Sequence, residues 1–121
     1  MVQLQLRITP GLSRTQQMIQ ALRSLMVPAQ LDRGCDGCWL FLDVMDPRCL
    51  CYVEEWATPT DLEREIRSAR FTRLLSVMEE APLAPSLEFR FVSQTRGLDY
   101  VEAVRLFSHQ NPIINGNGKE P

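Results

Sequence analysis

The fold turns on one stretch, Cys49-Leu50-Cys51-Tyr52-Val53-Glu54-Glu55-Trp56, followed at once by Ala57-Thr58-Pro59. The first eight residues read as a strand. Thr58 is then placed to cap a helix, and Pro59 suits its first position, where a missing N–H costs nothing. Upstream, Cys38 to Val44 is a short and nearly continuous apolar run, as expected of a strand covered on both faces. Asp46-Pro47 between the two marks a turn. The segment therefore reads as an antiparallel hairpin that runs straight into a helix.

Working outward, Val2, Leu4, Leu6 and Ile8 are apolar at every second position, which predicts a half-buried strand. Pro10-Gly11 breaks the chain. Ser13 with Gln16 has the form of a capping box. Met18, Ile19, Leu22, Leu25 and Met26 then make the apolar stripe of a helix of about four turns ending near Pro28 to Leu31. Beyond the hairpin, Leu62 and Ile66 give a short helix its inner face. Ser68 caps a second piece striped by Phe71, Leu74, Leu75 and Met78. Leu87 to Ser93 alternates again as a last strand. The order is β-α-β-β-α-β, a ferredoxin-like α+β plan with helices on one face of a four-stranded antiparallel sheet.

That plan leaves one sheet face bare. With Leu, Phe and Trp side chains expected there, two copies packing sheet to sheet would cover it. The space between them is a natural ligand cavity. The expectation is a homodimeric α+β barrel, with residues 1–107 as one domain and 108–121 as a disordered tail. Gly97 to Arg105 reads as a short helix or an edge strand that docks on a partner.

Composition agrees with a single domain: 121 residues, 45% hydrophobic and 23% charged. A net charge of −2, with Arg64, Arg67, Arg70 and Arg73 interleaved among glutamates, leaves no footprint for nucleic acid or an anionic membrane. Met1 to Thr9 alternates like a strand and has no charged and apolar leader pattern, and no stretch approaches a membrane span. A cytoplasmic location is the expectation.

The four cysteines fall as Cys35-Asp36-Gly37-Cys38 and Cys49-Leu50-Cys51. Four thiolates could hold zinc, but hairpin pairing sets Cys51 opposite Phe41 and Cys49 opposite Asp43. Cys35 and Cys38 then lie at the far end, too distant for one ion. A redox Cys-x-x-Cys normally opens a helix, whereas this one opens a strand. Buried structural thiols are the reading preferred over a metal or redox role. No phosphate-binding glycine loop, nucleophile elbow or zinc-protease motif occurs.

The series Gly34-Cys35, Asp46-Pro47, Glu54-Glu55-Trp56, Leu62, Ser68 and Phe71 resembles the antibiotic biosynthesis monooxygenase family of dimeric α+β barrels. The resemblance spans residues 2–93 and rests most on the Trp56, Leu62, Ser68, Phe71 spacing. It implies oxygenation of quinols, anthrones or similar aromatics without a cofactor or metal. It places Trp56 at the cavity, where it would bind ligand together with Tyr52, Trp39 and Phe71. Relatives often carry a His nine residues after the Trp, and in haem-degrading members that His ligates iron. Here the position is Glu65, so haem degradation is not expected, and His109 lies in the tail. Glu65 becomes the candidate catalytic base, since a carboxylate in an apolar cavity has its pKa raised. The competing reading sets Glu65 on the solvated face beside Arg64 and Arg67, or pairs it with an Arg four or five residues on. The alternative, favoured by the missing His, is a non-catalytic dimeric module that binds a small apolar ligand or regulates a partner.

Overall fold

A computed structural model describes residues 1–110 of the chain, with side chains described through Phe107. Four strands form one antiparallel sheet: β1 (Val2–Ile8), β2 (Cys35–Leu42), β3 (Leu50–Trp56) and β4 (Ser86–Phe91), in spatial order β2-β3-β1-β4. Helix α1 (Thr15–Gln30) connects β1 to β2. Helices α2 (Pro59–Ile66) and α3 (Ala69–Glu79) connect β3 to β4, and α4 (Leu98–Gln110) follows the sheet. This is the expected ferredoxin-like α+β order, with β1 in the centre beside β3 and β4.

Register decides which side chains meet the helices. Val2, Leu4, Leu6 and Ile8 pair with Trp56, Glu54, Tyr52 and Leu50, so these eight share one face. All eight are at most 1% exposed. The core gathers Leu4, Leu6 and Tyr52 with Met18 and Leu22 of α1 and Phe71 and Leu74 of α3. A smaller cluster of Val2, Trp56 and Leu62 closes one end.

The helix starts divide according to their chemistry. The Thr58 hydroxyl accepts the Asp61 N–H, and Pro59 opens α2. The Ser68 hydroxyl accepts the Phe71 N–H and opens α3. The capping box expected at Ser13 does not form. Arg14 is the N-cap and makes no side-chain cap, while Ser13 sits at φ 63 inside the turn. Helix α1 ends at Gln30, within the expected Pro28 to Leu31, with Pro28 in its last turn. Helix α4 settles the Gly97–Arg105 alternative in favour of a helix, which runs to Gln110, three residues into the expected tail. The rest of that tail lies outside the described residues.

Strand β2 begins three residues earlier than expected, with a bulge between Cys35 and Gly37. It is an edge strand, and only one of its faces meets helices. The expectation of cover on both faces therefore fails within the chain: Trp39, Phe41 and Leu42 are 44%, 52% and 50% exposed. The outer sheet face is also more polar than expected. Its leucines turn toward the helices, leaving Trp39 and Phe41 beside Gln3, Gln5, Arg7 and Glu55. Gln3 donates to Glu55 at 2.7 Å, and Gln5 donates to Gln3 at 2.8 Å.

Candidate functional site

Three side chains of β3 point into the helix–sheet interior at alternate positions: Tyr52, Glu54 and Trp56. They are 0%, 1% and 0% exposed. The Tyr52 hydroxyl lies 2.5 Å from Glu54 Oε2, and Trp56 Nε1 donates to Glu54 Oε1 at 2.9 Å. One carboxyl group thus holds both rings. Burial raises the Glu54 pKa, opposed by the bonds from Tyr52 and Trp56 and reinforced by the nearby Glu65. Burial likewise pushes the Cys38 thiol, directly opposite Glu54 on β2, up to about 12. Tyr52 is also raised, first by burial and then by Glu54.

Glu65, at the end of α2, is 2% exposed. Its oxygens take two contacts from Arg70 of α3, Nη2 to Oε1 at 2.5 Å and Nε to Oε2 at 3.2 Å. Arg70 Nη2 also reaches Asp32, in the α1–β2 loop, at 2.8 Å. Burial alone would lower the Arg70 pKa, but Glu65 and Asp32 hold it above its ordinary value. Glu65 does not lie on the solvated face beside Arg64 and Arg67, since α2 turns it inward, and the geometry matches the pairing with an Arg five residues on. Both Glu65 oxygens are taken up by the Arg70 guanidinium, which leaves neither free to meet a substrate proton.

The backbone next to this network is tightly built. Gly34 adopts φ 93, and its carbonyl accepts the Ala57 N–H at 2.7 Å. A Cβ there would meet the Asp61 carboxylate at 2.4 Å, so the loop closes onto the start of α2 only with glycine.

The sequence-predicted site residues are brought together only in part. Tyr52 and Phe71 share the main core, and Trp56 packs with Leu62 in the adjoining cluster. Trp39 faces the opposite way: it pairs with Val53 on the outer face and folds its ring over Gly37. Glu54 escaped the sequence reading as a site residue. The signal was present in the alternation, since Tyr52-x-Glu54-x-Trp56 sets an acid between two aromatics on the buried face. The four cysteines are free thiols. Phe41 pairs with Cys51 and Asp43 bonds Cys49, as the hairpin geometry required. Among the described residues no group of three or more His, Cys, Asp or Glu is arranged to hold a metal ion. None of the described helices is long and apolar enough to cross a membrane.

No family model and no curated protein sequence matches the chain. Solved structures do match in fold. A Deinococcus radiodurans protein proposed to be an antibiotic biosynthesis monooxygenase superposes with a TM-score of 0.73 at 11% identity, covering 80% of this chain and 97% of the other. A structure described as antibiotic biosynthesis monooxygenase gives 0.67 at 18% identity, with 78% and 100% covered. A conserved protein from Methanosarcina mazei gives 0.67 at 18% identity, with 74% and 89% covered. The resemblance read from the Trp56-to-Phe71 spacing therefore holds at the level of the fold.

Proposed function

We propose that the chain is a monooxygenase-like protein, acting as a homodimer on a small aromatic that bears an ionisable hydroxyl, of the quinol or anthrone type. The substrate would deprotonate to an electron-rich anion that reacts with oxygen directly, without flavin or metal. Tyr52, Trp56 and Phe71 would contact its ring, and Trp39, on the outer face, would lie at the dimer interface instead. The observation that carries this reading is the buried acid Glu54 held between two aromatic donors on one strand. The fold shared with structures bearing the monooxygenase name supports it.

In this reading Glu65 shapes the site rather than acting as its base, because Arg70 already engages both its oxygens. The same engagement leaves Glu65 poorly placed to ligate a haem iron. The test is oxygen uptake by the pure protein with a panel of quinols. Uptake that falls at least tenfold in Glu54→Gln supports the proposal, and no uptake above background overturns it.

A specific observation favours a second reading. Tyr52 and Trp56 expose no surface at all, so a ligand enters only if the α2–α3 corner moves. A non-catalytic module that closes over a small apolar ligand fits that enclosure. It predicts a co-purified molecule detectable by mass spectrometry, lost in Trp56→Ala, in a protein that consumes no oxygen.

A further inference from the structure

Helix α4 buries nothing within its own chain. Every side chain described on it is exposed, Leu98, Tyr100, Val101 and Val104 among them. The polar contacts of its first turn run to Arg96 and Gly97, immediately before it. Tyr100, Val101 and Val104 nonetheless recur at the spacing of an apolar stripe. A helix of 13 residues is marginal in water by itself and is normally held by the packing of such a stripe.

A second apolar surface stands open at the far edge of the sheet. Ile19 and Met26 of α1 and Leu40 and Leu42 of β2 line a groove of about 300 Å³. Arg23 is its one charged lining residue. Neither the Arg23 guanidinium nor the Glu102 carboxylate of α4 has an ion pair or hydrogen bond among the described residues, so groove and helix offer each other opposite charges.

The strand order β2-β3-β1-β4 keeps the two surfaces apart within one chain. Helix α4 leaves the sheet from β4, and three strand spacings, about 14 Å, separate β4 from β2. A second copy removes that separation. When two sheets face each other about a two-fold axis along the strands, left and right exchange, and the partner's β4 edge stands over the β2 edge of this chain.

Buried area points the same way. A stable dimer buries about 800 Å² on each partner, and roughly two-thirds of a homodimer interface is apolar. On the outer sheet face Trp39 and Phe41, each about half exposed, bring roughly 100 Å² apiece. Gln3, Gln5, Glu55, Glu88 and Arg90 fill most of the remainder. The sheet face alone falls well short, and the α4 stripe and the groove are the apolar surfaces that supply the difference.

We propose that α4 of each copy lies in the α1–β2 groove of the other, so that the dimer is clasped by two exchanged helices; this rests on the homodimer of the proposed function. The test uses the full chain with Tyr100 replaced by photoreactive benzoylphenylalanine, mixed with isotope-labelled wild type. The mixture is irradiated at a concentration where light scattering gives a mass of two chains. Cross-links between labelled and unlabelled chains should run from position 100 to residues 19–26 or 38–42. Cross-links confined to one chain, or directed to the partner's α4 or its outer sheet face, overturn the exchange while leaving the homodimer intact. A mass of one chain at every concentration removes both. Val104→Glu changes an exposed side chain and should leave the fold in place, yet raise the dimer dissociation constant at least tenfold. An unchanged constant overturns the docking of α4.

Discussion

Glu65 and Arg70, five residues apart across the corner between α2 and α3, form an ion pair at 2.5 Å with the carboxylate side chain 1% exposed and the guanidinium 15% exposed. Because Arg70 also reaches Asp32, the pair ties that corner to the loop leading into β2. Removing one partner strands a buried charge, a loss of about 3–5 kcal/mol. Arg70→Ala should therefore lower the unfolding free energy by that amount in a urea titration. The double variant Glu65→Leu/Arg70→Met should recover most of it, since Asp32 is partly solvated and can do without its partner. A double-mutant cycle showing no coupling would mean that the pair contributes nothing to the corner.

The burial of Glu54 sets a pH dependence of unusual direction. Its folded pKa is raised above the unfolded value, so the folded state keeps a proton that the unfolded state releases. Stability is then highest below the ordinary carboxylate pKa of about 4.3 and falls as pH rises from there toward the raised value. It levels off above it. Glu54→Gln cannot titrate and should lose this fall. Unfolding free energies measured across the acid-to-neutral range should lie closest at low pH, where both side chains are neutral, and separate as pH rises, with the wild type falling relative to the variant. A wild-type curve that rises through this window faster than that of Glu54→Gln would contradict the raised pKa.

What the sequence disclosed follows the physics of each signal. Alternation in β1, the Thr58-Pro59 and Ser68 caps, and the pairing of Phe41 with Cys51 are local or periodic, and all are found. The Ser13 cap fails because Ser13 takes a left-handed turn conformation, which motif spacing does not encode. The partnership of Glu65 with Arg70 was open as an alternative from the i+5 spacing. Asp32, 38 residues from Arg70 in sequence, enters only through the tertiary fold. Glu54 was hidden for a different reason: a carboxylate on a strand defaults to the solvent face, which masks its place between Tyr52 and Trp56 in the alternation, and the register against Leu4 shows it buried.

Gly34 offers a direct probe of how the loop supports α2. Alanine there meets two obstacles, a positive φ and an Asp61 carboxylate 2.4 Å from the new methyl. Asp61 is also the residue whose N–H caps onto Thr58 and whose carboxylate bonds Arg64 at 3.0 Å. Gly34→Ala should cost about 1–3 kcal/mol from the backbone alone, with added loss at the α2 start. Hydrogen exchange should localise the change to residues 57–66 and leave β1 protected. Uniform loss of protection would mean that the loop supports the whole domain instead.

The outer sheet face tests the homodimer of the proposed function. Phe41, 52% exposed, and Trp39, 44% exposed, stand on the edge strand β2 beside Val53. Gln3, Gln5, Arg7, Cys51 and Glu55, with Ser86, Glu88 and Arg90 of β4, share the face, so an interface here would be apolar toward β2 and polar across β1 and β4. Such a patch tolerates a charge in a monomer but not when desolvated against a second copy. Phe41→Glu should leave thermal unfolding at high dilution within a few degrees of wild type, because the side chain contributes little to the monomer's core. In light scattering at micromolar concentration it should shift the mass from twice the chain to once. A wild-type mass of one chain at all concentrations would remove the dimer from the proposal. A Phe41→Glu protein that stays dimeric would move the interface away from this face, leaving α4, whose Leu98, Tyr100, Val101 and Val104 are 44–70% exposed, as the alternative contact.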